Sequence, residues 1–344
     1  MPFTAQELQN IANTTIDFHL RGQPVNNIKQ PRPLYDDLMA MKKTFPAGKE
    51  YITGPVKGQY TSAFAGYTHD DDQAYGNPAN VKRWQAKWYE MGAGIKVTYT
   101  ELKANGIHIL DTSGSKSSQS TDTELVQLVN LLDDKVEDLT EGGARSLAEI
   151  FWRDGTQDAK VPPGIQSIIT TAPTSGMKLN LDSGALSWWR NRATLGTDSS
   201  TASNNNLINL LQKEFRQLRR YGSPKHKFYA GSDFMDAFEK EMRAKGTYTQ
   251  DGWANKGMLD AGLADIGFKG IAVQYEPLLD DLGFAKYGYV LDLNAIRWQP
   301  MQNEEMRTHN PERPPEKYVL YRAVTTTGGI TANQLNTSGV YSIL

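Results

Sequence analysis

The sequence predicts an α+β fold with two or more lobes, and three observations support this prediction. Residues 50–100 contain two β-prone runs around a polar tip. Residues 122–154 carry apolar side chains at helical spacing. Residues 285–344 hold strand-like runs at 287–293 and 317–327, on either side of a Pro-rich loop. At 344 residues the chain is long enough to bury a sizeable core in more than one lobe.

The composition excludes several classes of chemistry. The chain has no cysteine, so disulfides, thiolate metal sites and a cysteine nucleophile are absent. Its formal net charge is −2, and any affinity for nucleic acid must therefore be local. No apolar run approaches the roughly 18 residues of a membrane span, and residues 1–20 lack a secretion signal. Aromatic residues make up 10 % of the chain, which suits either buried interfaces or an aromatic-rich core.

The amino-terminal segment predicts an arm. Residues 4–20 predict a short helix, because Thr4 and Glu7 form a capping box before helically spaced apolar residues. The prolines that follow predict extended chain. A second helix is predicted from Tyr35 to Thr44.

Residues 50–92 predict a long β-hairpin. Alternating side chains predict a first strand through Tyr60–Tyr67 and a second through Trp84–Trp88, with the polar tip Thr68–Ala79 between them. A two-stranded hairpin of this length is marginal by itself, so we expect it to lie on another surface.

The strongest helix prediction spans residues 122–154. Thr121 and Glu124 form a capping box before the apolar stripe, and Gly155 follows as a C-cap candidate. Gly143 lies on the stripe itself, where either a close backbone approach or a kink accounts for it.

Prolines and glycines divide the rest of the chain into short elements, and Val161–Gly164 is the clearest boundary. We predict a strand at 165–171, a loop at 196–206, a helix at 206–221 ended by Gly222, a strand at 228–231, a helix at 234–245, a strand at 270–275, a turn at Gly328–Gly329 and a last apolar run at 340–344.

No catalytic or cofactor motif is present in the sequence. The five histidines are dispersed, and the nucleophile-elbow, Walker, dinucleotide-binding and zincin patterns are missing. The segment His69–Asp72 offers four hard ligands in succession, which suits a weakly bound cation or, more simply, a solvated tip. We therefore predict no catalytic residue, no cofactor and no metal site, and a protein that is not an enzyme.

One local basic cluster stands out between residues 213 and 227. Its cations suit nucleic acid phosphates, an acidic neighbour or simply the carboxyl end of a helix. The pair Trp188–Trp189 suits either a stacking platform or buried packing. The basic cluster comprises Lys213, Arg216, Arg219, Arg220, Lys225 and Lys227, with Glu214 as the one opposing charge among them.

The order of these elements and four stretches of sequence carry a resemblance. The stretches are GIKVTYTELKANGI (94–107), HKFYAGSDFMDAFEKEMR (226–243), YVLDLNAIRWQPM (289–301) and YRAVTTTGGITANQLNTSGVYSI (321–343). The chain resembles the major capsid proteins of tailed bacteriophages, which have the Hong Kong 97 phage-type fold. The resemblance implies an amino-terminal arm at 1–49, an extended loop (E-loop) hairpin at 50–92, a peripheral domain at 93–164 and 285–344 with the spine helix 122–154, and an axial domain at 165–284.

Members of that family assemble into the hexamers and pentamers of an icosahedral head shell around double-stranded DNA. The resemblance therefore implies a structural virion protein, assembled in the host bacterial cytoplasm, that contacts DNA non-specifically on the inner face and does not contact a membrane. Its partners would be its own copies, a portal and, in some members, a decoration protein. We expect a separate scaffolding protein, because the sequence starts close to the arm. The alternatives are another phage structural component, such as a tail or portal protein, and a soluble hydrolase, which the missing motifs disfavour.

Under this resemblance, aromatic side chains of the hairpin would be buried on a neighbouring subunit. The cations of helix 206–221 would face carboxylates of an adjacent subunit, with Asp236, Glu239 and Glu241 as candidates, or the packaged DNA. The interface candidates are Tyr60, Phe64, Tyr67, Trp84, Trp88, Lys213, Arg216, Arg219 and Arg220.

Overall fold

A computed structural model describes most of the chain. It contains both helices and strands, as predicted for an α+β fold. The predicted helix at 4–20 and the predicted capping box Thr121–Glu124 lie outside the described residues. No helix in the described part is long and apolar enough to cross a membrane. The described residues are 30–60, 62–72, 75, 80–104, 135, 138–139, 141–199, 206–222, 224–244, 267–309 and 319–344.

The chain folds into two compact units. The larger unit comprises Pro31–Tyr89, Ala148–Gln302 and Thr327–Leu344. The described parts of the smaller unit lie within Glu90–Leu147 and Asn303–Thr326.

The helices and strands are short, apart from one long strand near the carboxyl end. The strands are β1 (Tyr51–Lys57), β2 (Val81–Lys87), β3 (Tyr89–Thr98), β4 (Met177–Lys178), β5 (Leu181–Asp182), β6 (Arg192–Thr197), β7 (His226–Ala230), β8 (Gly267–Phe268), β9 (Ile271–Tyr275), β10 (Tyr287–Asp292), β11 (Ile296–Pro300), β12 (Arg307–His309), β13 (Val319–Ala332) and β14 (Gly339–Ile343). The helices are Pro33–Ala40, Tyr99–Ala104, residues 141–152, Ile165–Ile168, Leu207–Leu218, Ser232–Ala244 and Pro277–Asp281, with a 3₁₀ turn at Ser187–Trp189.

A six-stranded sheet forms the centre of the larger unit. Its order is β6-β14-β10-β7-β9-β8; the β6–β14 and β7–β9 pairs are parallel and the others antiparallel. Because side chains alternate along a strand, the sheet has two different buried faces. Phe228 and Val290 join the core formed with two helices, Leu207–Leu218 and Ser232–Ala244. On the other face, Tyr229 and Tyr289 lie against the indole of Trp152, with ring centroids 6.0 and 5.1 Å away.

The helix Leu207–Leu218 confirms the prediction made from its apolar stripe. Leu207, Leu211, Phe215 and Leu218 are all fully buried on one side. At its amino end, the N–H groups of residues 207 and 208 donate to the carboxylate of Glu241, at 2.8 and 3.1 Å. A carboxylate is favourable there because those N–H groups have no partner within the helix.

The strand β13 pairs with strands on both sides along its length. In the larger unit it pairs with β11, where Trp298 stands opposite Ile330. In the smaller unit it pairs with β12 and β3. The predicted turn at Gly328–Gly329 is therefore wrong, since both residues lie within β13. Neither position has room for a side chain. A Cβ at Gly328 would come 2.6 Å from the Trp298 ring, and one at Gly329 would come 2.8 Å from Lys87 O.

The smaller unit contains a capping box that the sequence analysis missed. Glu101 accepts a hydrogen bond from Thr98 N (3.0 Å), and Glu101 N donates to Thr98 Oγ1 (3.3 Å). This reciprocal pair starts the helix Tyr99–Ala104. The buried Glu101 carboxylate also forms an ion pair with Lys135, at 3.4 Å.

Two further predictions near residues 143–171 need correction. The predicted strand 165–171 is instead the helix Ile165–Ile168, because Ile165, Ile168 and Ile169 are buried at helical spacing. The close backbone approach considered for Gly143 is not seen, since an added Cβ would meet nothing within 4 Å in the described structure. The helix 141–152 ends before Gly155, which has the positive φ of 86° that the C-cap prediction requires.

Candidate interaction surface

The hairpin exists, but it is shorter than predicted and its base lies on its own chain. Strands β1 and β2 pair in antiparallel register, whereas the predicted strand Tyr60–Tyr67 has no strand structure in its described residues. Gln85 of β2 donates its N–H to Leu179 O at 2.9 Å and accepts a side-chain hydrogen bond from Asn180. The expectation that the whole hairpin lies on a neighbour is therefore wrong for its base.

Trp84 is not available to a neighbouring subunit, contrary to the sequence prediction. It stands opposite Gly54 in the β1–β2 pair and is only 3 % exposed. A Cβ on Gly54 would come within 2.6 Å of the indole ring, so the glycine makes room for the tryptophan. The bulk and burial of Trp84 stabilise the hairpin within the subunit.

Trp88 lies between β2 and β3 and is half-buried. Its indole N–H donates to Lys49 O at 2.8 Å. This bond joins the end of β2 to the segment that leads into β1. An interface role for Trp88 remains a prediction.

The segment 58–80 between the strands, termed here the hairpin loop, carries the other aromatic candidates. Tyr60 is 85 % exposed, Phe64 110 % and Tyr67 63 %, and Tyr75 is 90 % exposed. Soluble surfaces seldom present several large aromatic rings in one segment unless a partner covers them. In the described structure, the hairpin loop therefore carries large aromatic side chains that its own subunit does not bury.

The tip of the hairpin loop is a pre-formed acidic turn. Asp71 accepts hydrogen bonds from Thr68 N (2.9 Å) and Thr68 Oγ1 (2.7 Å), and Asp71 N donates to Thr68 O (3.0 Å). The bonds from Thr68 hold the pKa of Asp71 below its ordinary value, so the carboxylate is ionised at neutral pH. Asp70 and Asp72 flank it and are exposed. Within the described residues no group of three or more potential ligands could hold a metal ion.

A groove of about 1230 Å³ opens beside the base of the hairpin loop. Gly58 packs so closely on Trp188 that an added Cβ would overlap the indole. Trp189 is buried, and its indole N–H donates to Lys178 O at 3.0 Å. Of the two roles considered for the pair Trp188–Trp189, buried packing is therefore the one that applies to Trp189. The groove is lined by cationic and aromatic side chains, among them Lys57, Tyr60, Trp188, Arg190, Arg220 and Tyr221.

The four cationic candidates lie on or just after the helix Leu207–Leu218, and all four are exposed. Arg219 donates to Lys269 O at 3.3 Å and lies 5.9 Å from the Phe215 ring centroid. Arg216 donates to Gln212 O on its own helix, at 3.3 Å. No carboxylate of the described chain pairs with either arginine, so their charges are available to a partner.

Other members of the predicted basic cluster and its predicted acidic partners are engaged within the chain. Glu214 is buried and binds Arg192 through two hydrogen bonds of 2.8 Å. Lys227 pairs with Asp37 at 3.3 Å. Glu241 is buried and accepts hydrogen bonds at the amino end of the helix Leu207–Leu218. The prediction that it pairs with cations of an adjacent subunit is therefore wrong.

Two buried basic groups were not singled out from the sequence. Burial and the nearby charge of Arg190 lower the pKa of Lys178 to about 8, and its ammonium donates to Asn191 Oδ1 at 2.5 Å. Burial also lowers the pKa of His226, whose Nε2 lies 2.8 Å from Thr337 O. Both side chains are buried, so they serve packing and hydrogen bonding and offer no reactive group to solvent.

Comparison with known proteins identifies the fold. No protein-family model matches the chain, and no curated protein matches it. Among solved structures, a chain of the cyanophage A-1(L) capsid asymmetric unit is similar with a TM-score of 0.66 and 13 % identity, covering 94 % of this chain and 95 % of that chain. A chain of the capsid of Myoviridae phage XM1 has a TM-score of 0.56 and 10 % identity, covering 100 % and 99 %. A capsid chain of the empty GTA particle has a TM-score of 0.53 and 16 % identity, covering 94 % and 96 %.

These similarities extend over nearly the whole of both chains, so the chain has the fold of phage capsid proteins. The fold that the sequence resemblance implied is confirmed.

Proposed function

We propose that this chain is a major capsid protein that assembles into the icosahedral head shell of a tailed double-stranded DNA bacteriophage. The observation that supports the proposal most strongly is the shared fold over 94 % of this chain and 95 % of the cyanophage capsid chain. Because one fold can serve several functions, the surface must support the assignment as well. The exposed aromatic hairpin loop and the unpaired arginines of the described structure give that support, since both call for a partner.

The proposal gives each described part of the chain a place in the shell. The helix Pro33–Ala40 belongs to the amino-terminal arm (1–49), and β1 and β2 belong to the E-loop (50–92). The helix 141–152 is the described end of the spine helix in the peripheral domain (93–164 and 285–344). The axial domain (165–284) contributes β6, β7, β8 and β9 to the six-stranded sheet, which β10 and β14 complete.

The partners follow from the same proposal. Other copies of the chain would form hexamers and pentamers, and a portal, a separate scaffolding protein and, as in some members of that family, a decoration protein would complete the particle. Packaged DNA would meet the inner face without sequence preference, through lysine and arginine contacts to phosphate. The role is structural and needs no catalysis.

Electron microscopy of the purified wild-type chain tests the proposal. We expect hexameric and pentameric rings and closed shells, with and without a co-expressed scaffolding protein. Size-exclusion chromatography should show these species at high protein concentration. A chain that stays monomeric at every concentration, or that forms a single ring or a tube of fixed diameter, would contradict a capsid role. The ring would favour a portal, and the tube a tail component.

A further inference from the structure

The groove beside the base of the hairpin loop is strongly basic. Its lining includes Lys57, Arg190, Arg192 and Arg220, and no carboxylate belongs to that lining in the described structure. The guanidinium of Arg192 donates two hydrogen bonds to the buried carboxylate of Glu214, which compensates its charge. The net charge that the groove presents therefore comes from the other three cations.

The three remaining cations have no carboxylate partner among the described residues. Arg190 donates to two backbone carbonyls, Ser183 O and Gly184 O, each at 2.6 Å, which fixes its guanidinium without cancelling its charge. Arg220 lies 5.5 Å from the ring centroid of Tyr221. Lys57 is exposed at the end of β1. Cations beside aromatic rings form a site for an acidic segment that also carries aromatic side chains.

The hairpin loop supplies a segment with that chemistry. Residues 58–80 contain three aspartates in succession and no lysine or arginine. All the described residues from Ser62 to Asp72 are exposed, so the tip does not occupy the groove of its own chain. Phe64 and Tyr67 precede the acidic turn, and aromatic rings also line the groove, among them Tyr60, Trp188 and Tyr221.

The geometry of the loop favours a neighbour as the occupant. Gly58 packs on Trp188, which fixes the start of the loop, whereas the described residues of its tip are exposed. A fully extended chain spans at most about 3.5 Å per residue, so the tip at Asp70, thirteen residues after Lys57, can reach about 45 Å from the end of β1. A contact between a tip on one copy and a groove on the next is heterologous, and repetition of it forms a ring when the rotation between copies closes.

We propose that the acidic tip Asp70–Asp72 of one subunit docks in the groove formed by Lys57, Arg190 and Arg220 of an adjacent copy. This inference rests on the proposed function, because it needs several copies in one assembly. It adds a specific pairing that sets the register between neighbours. A nucleic acid in the groove is the rival occupant.

Charge exchange between two variants tests the pairing. The tip variant carries Asp70→Lys and Asp72→Lys, which leaves Asp71 to hold the turn. The groove variant carries Lys57→Glu and Arg220→Glu. Each variant alone places like charges in every contact, so we expect roughly a tenfold or greater loss of assembled rings and shells. Circular dichroism and thermal unfolding of both variants should match the wild-type subunit.

Mixing the two variants should restore assembly, because a ring of alternating subunits pairs every lysine tip with a glutamate groove and every aspartate tip with a basic groove. Rings with an even number of subunits should recover best. A single chain that carries all four substitutions should also assemble. The matched control is Lys160→Glu with Lys286→Glu, two exposed lysines outside the groove with the same change of charge. We expect this control to assemble like the wild type.

The outcomes separate this inference from the proposed function. If the wild type assembles and the tip and groove variants also assemble normally, the pairing is wrong and the capsid role stands. If the four-substitution chain recovers but the mixture does not, the tip docks in its own subunit and the proposal fails. If groove-variant shells form but lose DNA, nucleic acid is the occupant and the proposal fails. If the wild type never assembles, the failure lies with the proposed function itself.

Discussion

The carboxylate of Glu276 accepts a hydrogen bond from the backbone N–H of Leu34, at 3.1 Å, across 242 residues of sequence. Leu34 lies in the first turn of the helix Pro33–Ala40, where N–H groups have no partner within the helix. Glu276 is fully buried, and its Oε1 has no hydrogen-bond partner in the described structure. A second tie holds the same helix, since Tyr229 donates its hydroxyl to Asp37 at 2.6 Å.

Glu276 should make stability depend on pH. Burial raises its pKa to about 7 from an ordinary 4.5, and the hydrogen bond from Leu34 offsets this only in part. An acid whose pKa is higher in the folded chain binds more protons when folded, so this group lowers the free energy of unfolding as pH rises from about 4.5 to about 7. The loss is of the order of 3 kcal/mol, at about 1.4 kcal/mol per pKa unit.

The substitution Glu276→Gln should remove this dependence, because the amide keeps an acceptor for Leu34 and carries no charge. Denaturant unfolding at about pH 5 and about pH 8 should show the variant gaining stability relative to the wild type at the higher pH. Glu276→Ala, the matched control, leaves the Leu34 N–H without its acceptor and should lose about 1–3 kcal/mol at both pH values. If the free energy of unfolding depends on pH in the same way for the wild type and Glu276→Gln, the carboxyl of Glu276 does not titrate in this range.

Two aromatic residues of the hairpin should behave in opposite ways when truncated. Trp84→Ala removes a buried side chain and should lower the free energy of unfolding by about 3–5 kcal/mol. Phe64→Ala removes an exposed ring and should change it by less than about 0.5 kcal/mol. Thermal unfolding of the subunit measures both.

Assembly should then separate the two variants further. If the hairpin loop contacts a neighbour, Phe64→Ala subunits fold normally but form fewer shells by electron microscopy. Normal assembly of Phe64→Ala would remove this ring from the interface, and a stable Trp84→Ala subunit would contradict its structural role.

Two glycines should respond oppositely to substitution by alanine. At Gly328 the new Cβ would press against the Trp298 ring within a buried strand, so Gly328→Ala should cost about 1–3 kcal/mol. At Gly142, in the helix 141–152, a Cβ meets nothing within 4 Å, so Gly142→Ala should stabilise by about 0.5–1 kcal/mol through helix propensity. Unfolding in denaturant measures both changes, and equal effects would contradict the packing argument.

The sequence predicted the elements whose signals are local. The helix Leu207–Leu218 follows from its apolar stripe, and β10 and β13 follow from their β-branched and aromatic runs. The errors arise from contacts distant in sequence. Gly328 and Gly329 pair with β11 and lie close to Trp298 and Lys87, and none of these contacts can be inferred from two adjacent glycines.

The candidate surface was predicted only in part, for the same reason. An aromatic hairpin was expected, yet pattern alone could not separate Trp84, which β1 covers, from the exposed Phe64. Glu241 looked like a surface carboxylate because it lies on a polar helix, but it accepts from residues 33 and 34 positions earlier in the chain. The basic groove was not predicted, since Lys57, Arg190 and Arg220 come from three segments that are distant in sequence.

The exposed arginines of the helix Leu207–Leu218 allow a last prediction about capsomers. Arg216 and Arg219 have no carboxylate partner in the described structure and lie outside the groove that contains Arg220. Like charges repeated around a ring would repel unless carboxylates of the next subunit compensate them, and Asp236 and Glu239 remain candidates. Single surface pairs contribute about 0–1 kcal/mol each, so their effect depends on repetition around the ring.

Arg216→Glu with Arg219→Glu should therefore reduce the number of capsomers even in empty shells, while circular dichroism of the subunit stays unchanged. Lys160→Glu with Lys286→Glu controls for net charge. If empty shells of the arginine variant form normally and only DNA retention suffers, these arginines face the packaged DNA and the contact between subunits is excluded.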